Sequence, residues 1–125
     1  MTRYLKVPDV LVLHALQIER FGGATGLRDP GQLEAAVFRP QSGYYSDIIA
    51  QAAALWESLS QNHPFVDGNK RTALAATLTF LIVNGHEVTI ADTVMWDFLS
   101  DLYDNHRFKF EALETWLRQY AEPAR

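Results

Sequence analysis

The sequence predicts an all-α protein: a compact helical bundle around one buried helix, with a short flap or hairpin near residues 41–46. Three observations lead there. Apolar residues recur at helical spacing in successive segments. Residues that start and stop helices bound those segments. One segment is apolar on nearly every side, the pattern of a helix at the centre of a bundle. The chain has 125 residues, 48% of them hydrophobic and 21% charged. That length and balance suit one core, so residues 1–125 are expected to form a single domain.

The elements follow in order. Pro8 and Asp9 open a first helix whose expected stripe is Val7, Leu11, Ala15, Ile18 and Phe21, and Gly22-Gly23 stops it. Asp29 reads as an N-cap, with Pro30 at the first helical position and Gln32 three residues after the cap. That second helix carries Leu33, Ala36 and Val37 until Pro40 breaks it. Residues 41–46 are polar and aromatic around Gly43 and read as a loop or short hairpin. Asp47 caps a third helix with Ile48, Ala52, Leu55 and Leu59 on its stripe, ending near Asn62 because Pro64 disfavours a helical His63. The next helix starts at Gly68 or Asn69 and runs to Asn84-Gly85; it is the apolar one, with Leu74, Leu78, Phe80, Leu81, Ile82 and Val83. Val88-Thr89-Ile90 reads as a short extended piece. Asp92 caps a helix with Val94, Met95, Phe98, Leu99 and Leu102, and a last helix carries Leu113, Trp116, Leu117 and Tyr120.

Composition narrows the function classes. Eleven basic and 15 acidic residues give a net charge of -4, which argues against direct nucleic-acid binding. With no cysteine, disulfides and thiolate metal sites are excluded. The start of the chain lacks the apolar stretch of a signal peptide, and the longest apolar run, near Ala73 to Val83, is too short to span a bilayer. The expectation is a cytoplasmic protein with no membrane partner.

Chemistry concentrates in His63-Pro64-Phe65-Val66-Asp67-Gly68-Asn69-Lys70-Arg71. Gly68 and Asn69 lie where the apolar helix begins. The first turn of a helix has unpaired N–H groups and a positive dipole end, which suit an anion. Gly68 lets backbone approach a phosphate closely. Lys70 and Arg71 place two cations in that turn, against the dipole, a choice that costs stability unless an anion is bound. Asp67 beside an anion site suits a Mg²⁺ ligand. His63 can take a proton from an attacking hydroxyl near neutral pH. Asn69 can donate its amide to a phosphate oxygen, and Phe65 suits a core anchor.

Singly, these residues have ordinary readings: a surface histidine, an Asp-Gly turn, an Asn helix cap, a solvated Lys-Arg pair. Together, at the mouth of the most apolar helix, they point to a functional site. The glycine spacing is not that of a P-loop. Elsewhere, His14 reads as a buried, hydrogen-bonded histidine, and Trp56, Trp96 and Trp116 as core. Arg28 and Arg39 read as target or phosphate contacts or as solvated surface.

This segment resembles the motif of the Fic/Doc family, His-Pro-Phe-x-Asp/Glu-Gly-Asn-Gly/Lys-Arg. Phe21-Gly22-Gly23, Gly26-Leu27-Arg28-Asp29 and Arg39-Pro40-Gln41 precede it at distances similar to those of the small Doc-type toxins. The resemblance implies the helical Fic fold, with His63 as general base and Asp67 as Mg²⁺ ligand. It implies phosphate contacts from Gly68, Asn69, Lys70 and Arg71, and a flap near residues 41–45 that aligns a target polypeptide. Most members transfer AMP to a protein hydroxyl. The Doc type carries lysine, here Lys70, in place of a second glycine, and is thought to bind the nucleotide reversed. Lys70 then joins His63 and Asp67 as a catalytic group, seating the terminal phosphate of ATP or another nucleoside triphosphate near His63. The implied outcome is phosphorylation of a protein hydroxyl, with elongation factor Tu as target class and a Phd-type antitoxin as partner. AMP-transferring members have an arginine three residues after the first; Leu74 stands there, and Asn84 offers no replacement. The alternatives are an AMP transferase and a non-enzymatic regulatory module.

Overall fold

The computed structural model describes residues 1–124. Six α-helices follow in order: α1 (Val7–Phe21), α2 (Pro30–Phe38), α3 (Ile48–Gln61), α4 (Asn69–Val83), α5 (Asp92–Asp104) and α6 (Phe110–Tyr120). A 3₁₀ turn, Arg39–Gln41, extends α2. Two short strands, β1 (His86–Val88) and β2 (Ala121–Pro123), pair antiparallel with Glu87 opposite Glu122.

Caps and breakers set the helix ends. The Asp9 carboxylate accepts from Lys6 N at 2.8 Å and closes the start of α1. Asp29 caps α2 through Gln32 N at 3.2 Å, with Pro30 in the first turn. Asp47 caps α3 through Ala50 N at 2.9 Å. These carboxylates satisfy N–H groups that have no acceptor within the helix.

The helices bury one continuous cluster. Trp56, Phe65, Phe80, Leu33, Leu55 and Leu113 are among its fully enclosed side chains. The position at the centre is shared. The sequence puts α4 there, but α3 is the more enclosed: ten of its residues are buried, whereas α4 leaves Ile82 and Val83 exposed at its end. Alanine and serine let neighbours close around α3 on every side, and periodicity of large apolar residues does not register that.

Several expectations are corrected or narrowed. On α1 the buried residues are Val10 and His14, while Leu11 and Phe21 are exposed. The helix is apolar on two sides, so spacing alone cannot choose the face; a polar partner for His14 decides it. On α5 the buried face is Met95, Leu99 and Leu102. Trp96 lies one residue off that face and is 37% exposed, whereas Trp56 and Trp116 are core. Of the loop and the hairpin expected near residues 41–46, residues 42–46 take the loop form. They are an irregular loop in which Arg39 Nε donates to Tyr45 Oη at 2.8 Å and Arg39 Nη1 reaches Glu57 at 2.7 Å. Arg39 is thus an anchor of the loop, neither a free target contact nor solvated surface. Extended structure falls at His86–Val88, two residues before the expected piece, where the chain meets β2.

Candidate active site

The segment from His63 to Arg71 leaves α3, crosses as a loop and enters α4. Phe65 anchors the loop, 2% exposed in the core. Asn69 braces it: its Oδ1 accepts from Phe65 N at 3.0 Å and its Nδ2 donates to Phe65 O at 2.9 Å. One amide hydrogen of Asn69 is therefore committed to the loop, and the second remains for another acceptor.

A second loop runs alongside. Val66 N donates to Gly26 O at 3.1 Å, and Leu27 pairs with Phe65 as an antiparallel bridge. Arg28 N and Asp29 N both donate to Pro64 O, at 2.8 and 2.9 Å. The Arg28 guanidinium donates to His63 O at 2.7 Å and to Asn62 O at 3.1 Å. His63 takes a positive φ of 48°. For a non-glycine residue that conformation costs on the order of 1 kcal/mol. Arg28 and the bonds to Pro64 fix it, which leaves the His63 side chain exposed at the end of α3.

Asp67 is held from three directions. Its carboxylate accepts from Ala24 N at 3.2 Å and from Gly68 N at 2.9 Å. Its backbone oxygen lies 2.8 Å from His14 Nε2. A carbonyl only accepts, so His14 carries a hydrogen on Nε2. The ring stacks flat on Phe65, with centroids 3.8 Å apart and planes 4° apart. The seat of the Asp67 carboxylate needs glycine at 23, where a Cβ would stand 2.8 Å from Asp67 Oδ2. Gly68 is the N-cap of α4 with φ 77°, a conformation that L side chains resist.

His63, Gly22 and residues 66–71 line one cleft of about 470 Å³. The sequence-selected residues His63, Asp67, Gly68, Asn69, Lys70 and Arg71 are thus brought together at the start of α4. Thr72 N is the first to bond back, to Gly68 O at 3.0 Å. The N–H groups of residues 69–71 precede it and have no partner of that kind. Gly68 supplies no side-chain cap and the first turn carries no acidic residue. The cleft therefore has an exposed imidazole, a carboxylate, open N–H groups and two cations, which can bind a polyphosphate and move a proton beside it. Each carboxylate oxygen of Asp67 accepts one hydrogen bond here and retains a further lone pair. Among the described residues no group of three or more metal-ligating side chains gathers. A divalent cation would take Asp67 from the protein and its remaining ligands from phosphate and water, as Mg²⁺ commonly does.

Two residues hold the site through partners that the sequence does not reveal: Arg28, expected as a target or phosphate contact or solvated surface, clasps the His63 and Asn62 carbonyls, and His14 bonds Asp67 O. Arg28 is 35 residues from His63, and no local pattern announces a guanidinium that clasps a distant carbonyl. His14 is buried and bonded as the sequence leads one to expect, but its partner lies 53 residues away. Leu74 is partly buried and packs against the core.

The Fic/DOC family pattern matches residues 4–81. Over 90 residues the chain is 49% identical to "Toxin Doc" of Mycolicibacterium smegmatis, a match covering 68% of this chain and 67% of that protein. It is 36% identical over 90 residues to "Protein kinase doc" of Escherichia phage P1, covering 69% of this chain and 71% of the phage protein.

Proposed function

This chain belongs to the Fic/DOC family, and from that premise we propose that it is a toxin-type protein kinase that moves the γ-phosphate of a nucleoside triphosphate to a protein hydroxyl. The observation that carries the reading is the single cleft shared by His63, Asp67 and Lys70 at an uncapped helix start.

The site's residues have distinct tasks in this reaction. The open N–H groups of the first turn, Lys70 and Arg71 bind phosphate oxygens and hold the terminal phosphate next to His63. His63 accepts the proton of the attacking hydroxyl as the new oxygen–phosphorus bond forms. The bond from the γ-phosphorus to its bridging oxygen breaks, and the nucleoside diphosphate leaves with that oxygen. Positioning and charge stabilisation supply most of the rate in such transfers. Mg²⁺, bound through Asp67, would supply neutralisation of the phosphate charge.

Lysine at 70 favours phosphoryl over AMP transfer. A glycine there would let backbone alone approach the attacked phosphate. Lysine adds bulk and a point charge, which favours a nucleotide seated with its terminal phosphate inward. Leu74, turned to the core, supplies no second cation for the other seating. The target proposed from the resemblance is a translation factor of the elongation factor Tu class, and the partner a Phd-type antitoxin. Among the described residues no helix is long and apolar enough to cross a membrane, which suits the cytoplasmic setting of such a pair.

Transfer of label to protein from γ-labelled and α-labelled ATP tests the reading. Wild type is expected to transfer only the γ-label, and Lys70→Gly to lose that transfer. An AMP adduct on the target, seen by mass, would replace the kinase reading with AMP transfer. No adduct of either kind, with ATP bound, would leave a regulatory module.

A further inference from the structure

Lys70 and Arg71 are neighbours in sequence, yet each rests on its own aromatic surface. The Lys70 ammonium stands 4.2 Å from the ring centroid of Tyr103. The Arg71 guanidinium lies 4.0 Å from the centroid of Phe21 and 5.3 Å from that of Trp96. Trp96 and Tyr103 are seven residues apart on α5, two turns along the same side of the helix. Adjacent side chains on α4 diverge by about 100°, so one helix face with two aromatics spaced this way can receive both.

The chemistry of these seats matters. Among the described residues neither Lys70 nor Arg71 forms an ion pair with a carboxylate. A carboxylate would hold a cation in place but cancel the charge that a phosphate needs. An aromatic face attracts the cation through its quadrupole and leaves the full charge in place. Tyr103 acts as a ring here: burial pushes its hydroxyl up to about 12, and that hydroxyl is hydrogen-bonded to Ser60 at 2.7 Å. Long surface side chains often lie on any nearby apolar patch. Here three aromatics from two helices converge on two consecutive cations, and Trp96 stays 37% exposed beside them while the other two tryptophans are core.

We propose that Phe21, Trp96 and Tyr103 are positioning residues that preset Arg71 and Lys70 for nucleotide phosphates, with α5 as the platform. The proposal rests on the reading that these two cations meet phosphate. It follows that the seats lower the loss of side-chain freedom on binding without reducing the charge presented.

The test has two parts. In nucleotide-free protein, ring currents should shift the Arg71 side-chain Nε–H proton upfield in NMR spectra, and Trp96→Leu should move it back. By calorimetry, Trp96→Leu should weaken ATP binding about 3–10-fold, and Trp96→Phe should restore it. The salt dependence of binding should be the same in wild type and Trp96→Leu, because no charge is lost; Arg71→Ala should reduce it. Absence of the ring-current shift in wild type, or equal ATP affinity in wild type and Trp96→Leu, overturns the proposal. If ATP binds and responds to Trp96→Leu but no γ-label reaches protein, the kinase reading falls and the positioning role stands. If wild type binds no ATP, both fall.

Discussion

Helices α3 and α4 pack side by side, and their first turns are built in opposite ways. At α3, the Asp47 carboxylate accepts from Ala50 N and is paired with Arg118 at 3.0 Å. At α4, the cap is a left-handed glycine with no side-chain bond, and the residues that follow are two cations. An anion at a helix start is stabilising, and cations there oppose the dipole. The start of α3 is therefore complete as it stands, while that of α4 leaves its first N–H groups and two cations open to an anion. The two helices share a core, so what separates α3 from the helix proposed to meet phosphate is a few residues at one end.

The first way to break that comparison is to remove the proposed proton acceptor beside the start of α4. His63→Ala is expected to lower transfer by about 10²–10⁴-fold. The side chain is exposed, so the melting temperature should change little. Equal activity with wild type in a folded variant would remove His63 from the mechanism.

Trp56→Ala attacks the opposite partner. Trp56 is fully enclosed in α3, with Phe98, Phe108 and Trp116 edge-on around it. Urea unfolding should show a loss of about 3–5 kcal/mol. A loss under 1 kcal/mol would mean that α3 is not the stabilising centre described.

Arg28→Ala falls between the two, since it touches the loop that joins the helices. Water can replace the guanidinium on the exposed carbonyl groups of Asn62 and His63, so stability should drop by only about 1 kcal/mol. Loosening the strained His63 should cost about 10-fold in kcat. An unchanged kcat would show that the bonds to Pro64 alone suffice.

The smallest effect sharpens the contrast at α3. Arg118 and the Ala50 N–H hold the Asp47 carboxyl below the usual carboxylate range. Its ionised form therefore stabilises the fold fully above about pH 4, and that contribution is lost as pH falls through the lowered value. Asp47→Ala should cost about 1 kcal/mol at pH 7. Denaturation across pH should show the gap between variant and wild type narrowing in acid; a gap that is constant down to pH 2 would exclude the charge from the effect.

Much of this was legible in sequence. The helix count, the caps at Asp29 and Asp47 and the grouping of residues 63–71 depend on short-range rules, and such rules act within a few residues. Long-range choices were not legible. The buried face of α1 was set by a bond from His14 to a carbonyl 53 residues away. A tryptophan on an amphipathic helix usually lies in the core, and only the packing of α5 shows Trp96 beside Arg71. The clasp made by Arg28 gives no signal because its partners are backbone groups, which every sequence has.

The turn after α4 also ties down both ends of the described chain. The Asn84 side chain accepts from Arg3 N at 2.7 Å and donates to Arg3 O at 2.9 Å, and Ala124 N donates to Gly85 O at 2.9 Å. These clasps sit at the far end of α4, about 22 Å along its axis from the cleft. Tension applied between the two ends would load this turn first, unzipping β1 from β2 before any strain travelled down the helix.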